Sequence, residues 1–108
     1  MPKGREEVLA PYLGQRRSFK GHITRLTEDK ICISKVTDLE TGDTVGHVWV
    51  SRPHFEKKYG VRKNFKITFT AVVTEYIGLD DNYKQVMKNG IYKVSRVVYH
   101  YKLRKGQR

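Results

Sequence analysis

Between residues 82 and 108 the chain carries no Asp or Glu, yet it holds Lys84, Lys88, Lys93, Arg96, Lys102, Arg104, Lys105 and Arg108. Tyr83, Tyr92, Tyr99 and Tyr101 are threaded among those cations. Ammonium and guanidinium groups displace the counterions condensed on phosphates, and flat rings offer surfaces on which unpaired bases stack. The chemistry such a run can do is the holding of a polyanion that also presents aromatic faces. Trp49, the sole tryptophan, and His47 two residues before it supply a further stacking ring beside a weak phosphate or base contact.

Bond-making chemistry is harder to compose from these residues. There is no phosphate-cradling glycine loop, no nucleophile elbow, and no Cys/His pair at zinc spacing. His22, His47, His54 and His100 could in principle give the base and acid of a metal-independent ribonuclease, but their spacing does not predict convergence. Glu6-Glu7, Glu28-Asp29 and Asp80-Asp81 fall in expected turns or arms, which disfavours a metal-assisted nuclease. The expectation is a binding protein, with no enzymatic activity, no metal and no cofactor.

The net charge of +11 is unevenly spread. Residues 1–27 contain six cations and two anions, residues 28–83 contain eight and nine, and residues 84–108 contain eight cations alone. A patch is implied if the fold joins the two basic ends, and a polyanionic partner follows. Cys32 is the only cysteine and sits between Ile31 and Ile33, the setting of a small buried strand residue. No stretch approaches the roughly 18 apolar residues of a membrane span, and the first residues lack a signal-like apolar run. A soluble cytoplasmic protein without a membrane partner is expected.

Positioning these residues falls to β-strands, because apolar residues alternate beyond the first dozen positions. The 108 residues divide into an N-terminal arm at 1–14, with at most a short helix over 6–10, one domain at 15–104, and a basic tail at 105–108. Strands are predicted over 16–27, 30–37, 44–51, 64–77 and 90–103. The first sets Phe19, Gly21 and Ile23 against Lys20, His22 and Thr24, with Gly21 marking a bend or bulge. Residues 38–43 make a hairpin loop, Pro53 ends the third strand, and residues 54–59 form a short helix stopped by Gly60. Residues 78–89 read as a loop.

Three strands, a short helix and two more strands is the order of an all-β, five-stranded, OB-like Greek-key barrel with its helix between strands three and four. Another small barrel, such as an SH3-like one, is the alternative. In an OB-like barrel, nucleic acid crosses strands two and three, framed by the loops between strands one and two and strands four and five. If Val48 and Val50 face inward, His47 and Trp49 must face outward, since strand side chains alternate. In the last strand, Val97, Tyr99, Tyr101 and Leu103 share one face. Arg96, His100, Lys102 and Arg104 are expected on the other, as a cationic stripe. Arg16, Arg17 and Lys20 add a second basic group, while Tyr83, Lys84 and Lys88 belong to the last loop.

Gly46-His47-Val48-Trp49-Val50, followed by the run from Phe65 through Ala71 and Val73 to Tyr76, resembles the small OB-fold proteins of phages and mobile genetic elements. Those proteins carry an Asp-His-x-Trp strand and then a Phe-x-Ala-x-Val-x-x-Tyr strand. The resemblance spans about residues 16–103 and implies a single-strand-binding-like role, carried onto His47, Trp49 and Tyr76. Gly46 stands where the pattern has Asp, so any role of that carboxylate is absent or supplied elsewhere.

The expected function is binding of single-stranded nucleic acid, foremost DNA, with little sequence preference, in phage or mobile-element DNA replication. The partner would be single-stranded DNA or RNA, with a replication or host protein as a further one. Two alternatives stand beside it: a structured-RNA binder of the ribosomal type, and a mobile-element protein that inhibits a host factor through the loop at 38–43.

Overall fold

The computed structural model describes residues 4–104, so the expected tail at 105–108 lies outside the described residues. They form α1 (Arg5–Leu9), a 3₁₀ turn (Ala10–Tyr12), β1 (Arg16–Leu26), β2 (Lys30–Asp38), β3 (Thr44–Ser51), α2 (Arg52–Tyr59), β4 (Phe65–Leu79) and β5 (Gln85–Lys102). The strands build one antiparallel sheet in the order β3-β2-β1-β4-β5. Among the described residues no helix is long and apolar enough to cross a membrane.

Alternation in β1 and β4 decides which face is buried. Phe19 and Ile23 of β1 and Ile67, Phe69, Ala71 and Val73 of β4 point into one core, where the Phe19 and Phe69 rings stack with centroids 5.7 Å apart. Gly21 is needed for the curl of the sheet. A Cβ there would lie 2.7 Å from Ile33 Cγ2 and 3.1 Å from the Ser34 carbonyl oxygen, and the β1–β2 register shifts at this point. Pro53 stands in the first turn of α2, where its missing N–H costs nothing, and Gly60 ends the helix at a φ of 73°. Phe55 of α2 is buried and meets Tyr59 edge-on at 5.6 Å.

Four features differ from the expectation. Strict alternation over β3 would set Val45 on the face of His47 and Trp49, but Gly46, at a φ of 98°, interrupts it and Val45 is buried with Val48 and Val50. The N-terminal segment packs onto the sheet: Val8 and Leu9 of α1 are buried in the core. Arg5 donates hydrogen bonds to the Val45 and His47 carbonyls of β3, and Asn89 of β5 donates to the Glu6 carbonyl at 3.0 Å. In this way α1 bridges the two edge strands.

Residues expected as a loop at 78–89 are mostly a two-stranded ribbon, with Leu79 opposite Gln85 and only residues 80–84 turning. The ribbon was hidden because its side chains have no core face to impose an apolar alternation. Finally, β5 pairs with β4 through three register shifts, and Lys93 and Arg96 take left-handed φ values of 52° and 51°. Each shift reverses the faces. Tyr99 therefore points inward while Tyr101 is exposed, and Arg96, His100, Lys102 and Arg104 do not form one stripe.

Candidate nucleic-acid interface

Trp49 lies on β3 opposite Cys32 of β2, and the burial of its neighbours Val48 and Val50 turns its ring outward, 41% exposed. Tyr76 and Lys88 face one another across the β4–β5 ribbon. Two glycines make room for them on its surface. A Cβ on Gly90 would come within 2.9 Å of Tyr76 Cε1, and one on Gly78 within 2.7 Å of Lys88 Cδ. The Tyr76 ring thus lies across Gly90, and the Lys88 methylenes lie across Gly78.

Between the ribbon and β3 runs a groove of about 530 Å³. Trp49, Tyr76 and Tyr92 give it three rings, and Arg5, Lys30, His47 and Lys88 give it its polar edges. Among the described residues no carboxylate lines it. Arg5 holds the wall in place by donating to the β3 carbonyls. The rings can stack on flat unpaired bases, and the ammonium groups can replace counterions on the connecting phosphates.

Of the residues singled out in the sequence, His47, Trp49, Tyr76 and Lys88 meet in this groove. Arg5 and Lys30 were missed, and Tyr92, one ring of the basic C-terminal run, was not assigned to the site. Arg5 sat in a segment taken for an arm, Lys30 next to a turn, and Tyr92 on a strand whose faces the bulges reassign. Tyr83 and Lys84 occupy the ribbon's turn, beyond the groove; Tyr83 is 84% exposed at a φ of 60°. Asp80 shapes that turn by accepting hydrogen bonds from the Asn82 and Lys84 amides at 2.8 and 2.9 Å.

Arg17 corrects the expectation most sharply. Its side chain is 10% exposed and its Nη2 lies 2.9 Å from Asp38 Oδ2, with Glu40 3.1 Å from Nη1 and the Tyr12 ring centroid 3.7 Å from Cζ. Burial opposes the guanidinium charge, but the hydrogen bond and charge of Asp38, with Glu40, hold its pKa above the ordinary arginine value. The side chain is committed to the fold. Arg16 is exposed and donates to Ser95 Oγ at 2.8 Å, which ties β1 to β5.

Lys20 lies elsewhere, on the outer face of the sheet beside His22, Lys35 and Lys66. Burial, and then the charges of Lys35, Lys66 and Lys20, pull the His22 pKa below the ordinary histidine value. The Arg96 amide donates to the Tyr59 hydroxyl at 3.0 Å, and the His100 ring lies 2.9 Å from the Thr68 hydroxyl. Lys102 and Arg104 are exposed at the end of β5 and just past it. Tyr99 is structural: its hydroxyl donates to the Gly60 carbonyl at 2.9 Å, and burial raises its pKa against the pull of Arg62.

Among the described residues no group of three His, Cys, Asp or Glu side chains is placed to hold a metal ion. The chain matches no known protein-family model, and no curated protein or solved structure is found similar to it.

Proposed function

We propose that this chain is an OB-like barrel that binds single-stranded nucleic acid, foremost DNA, in the groove between β3 and the β4–β5 ribbon. One observation carries the reading: three aromatic rings and four basic or imidazole side chains from α1, β2, β3, β4 and β5 converge on a groove that no carboxylate among the described residues lines. Bases stack on Trp49, Tyr76 and Tyr92, while Arg5, Lys30 and Lys88 neutralise phosphates. Stacking accepts every base and ammonium groups accept every phosphate, so little sequence preference follows. The strand order agrees with such a barrel, in which the first strand lies between the second and the fourth. The resemblance around His47, Trp49 and Tyr76 favours a role in phage or mobile-element DNA replication, where single strands need covering. No catalytic role is assigned to the groove.

A protein-binding role is favoured by a different observation. Ile77, Leu79 and Met87 of the ribbon are exposed, away from the groove's polar edges. Titration of Trp49 fluorescence with single-stranded DNA, duplex DNA and RNA at two salt concentrations separates the readings. Quenching that is strongest with single-stranded DNA and weakens with salt is expected. Unchanged fluorescence, together with no gel shift at low salt, removes the proposal and leaves the protein-binding role.

A further inference from the structure

Beyond Trp49 and Tyr92 the groove adjoins a second, smaller hollow of about 290 Å³ that reaches toward α2. Its interior is apolar, formed by Val50 of β3, Phe55 of α2, and Ile91 and Val94 of β5. Trp49 and Tyr92 line both spaces, so the two share a wall of aromatic rings. Ser51, His54 and Lys93 supply the polar groups at this hollow.

The backbone of β5 is bent to make this arrangement. Ile91 is buried and Val94 half-buried, while Tyr92 and Lys93 between them are both exposed. Regular alternation cannot turn two successive residues outward, and the bulge does so by holding Lys93 at a φ of 52°. An L residue with a side chain seldom adopts that conformation without a reason, and the cost is recurrent at ligand-holding sites. Here it brings the Lys93 ammonium to 5.3 Å from the Tyr92 ring centroid.

We infer that this hollow is a receptor for one unpaired nucleobase of the strand bound in the groove. The inference rests on the groove reading and adds to it a single position at which a base is enclosed as well as stacked. The chemistry of the hollow selects such an occupant. A base is flat and largely apolar on its faces, which suits Val50, Phe55 and Val94 between the Trp49 and Tyr92 rings. Its edge carries hydrogen-bond donors and acceptors, which Ser51 Oγ and the His54 ring can meet. Its phosphate stays outside, within reach of Lys93. Sequence tolerance in the groove and base selection at one position can then coexist.

The test uses the shortest single-stranded DNA that binds the full chain with full affinity, so that its register is fixed. Each base is replaced in turn by an abasic residue, against the wild-type protein and against Val94→Phe, which fills the hollow from a position that does not itself line the groove. At one position the wild type should lose about tenfold in affinity, within the range for a stacked base, and Val94→Phe should lose nothing. At the groove positions both proteins should respond alike. Identical profiles for the two proteins overturn the pocket while leaving the groove reading intact. Failure of the wild type to bind any strand overturns both.

Should Val94→Phe not fold, as judged by circular dichroism, the double variant Ser51→Ala/His54→Ala replaces it, since both side chains are exposed. It should change the ranking of the four bases at the sensitive position. An unchanged ranking rejects the pocket.

Discussion

Trp49 is turned outward by the two valines beside it, so its ring can be removed with little effect on the core. Trp49→Ala is expected to weaken single-strand binding by about 1–3 kcal/mol, the scale of one stacked base. Its melting temperature should stay close to that of the wild type. Asp38 behaves in the opposite way. It is 1% exposed and receives the Arg17 guanidinium along with the Glu40 and Thr41 amides at 2.8 and 3.2 Å. Asp38→Ala would strand a nearly buried cation, so denaturant unfolding should register a loss of about 3–5 kcal/mol. The outward ring of Trp49 was legible, since alternation around two valines fixes it. The fate of Arg17 was not, because nothing local to Arg16-Arg17 signals a carboxylate supplied by another strand.

His22 supplies a pH dependence at the same scale. Its folded-state pKa is depressed by burial and by Lys35, Lys66 and Lys20, so the unfolded chain takes up the proton first as pH falls. Stability should therefore decline as pH drops below the unfolded value of about 6.5, down to the folded pKa. Urea unfolding of wild type and His22→Gln at pH values on either side of that window isolates this contribution. A smaller decline in the variant is expected, and equal declines would contradict it.

Among the elements, the β4–β5 ribbon gives the groove its second wall, and its two glycines are what let Tyr76 and Lys88 lie flat upon it. In Gly90→Ala the new Cβ would occupy space 2.9 Å from Tyr76 Cε1. The exposed ring can swing away, so the conflict should be relieved by the side chain with the backbone in place. Binding should then weaken nearly as much as in Tyr76→Ala, with stability changed by less than about 1 kcal/mol. Equilibrium binding and thermal melting of the two variants compare these directly. The strands that face the core were legible because burial enforces a period of two. The ribbon was not: Gly78, Asp80, Asp81 and Asn82 carry turn chemistry, and Ile77, Leu79 and Met87 face solvent.

At the scale of the molecule, the described cations are divided between the groove and other faces of the sheet. Adjacency of β1, β4 and β5 does join the basic ends, as the contact from Arg16 to Ser95 shows. Yet the groove draws its cations from Arg5, Lys30 and Lys88, which lie far apart in sequence and only one of which belongs to the basic C-terminal run. Each phosphate neutralised on a single strand releases about 0.7 of a counterion, and the logarithm of the binding constant falls with that slope against the logarithm of salt.

Lys30→Gln/Lys88→Gln should therefore flatten the slope by roughly 1.4, if each lysine contacts one phosphate. Lys20→Gln/Lys35→Gln alters charge by the same amount, on the outer face next to His22. Long-range attraction alone would make the two double variants equivalent, because their net charges are equal. Contact in the groove makes them differ, with the outer pair retaining the wild-type slope. Equal flattening in both would mean that the strand is held by the overall field and not by this groove.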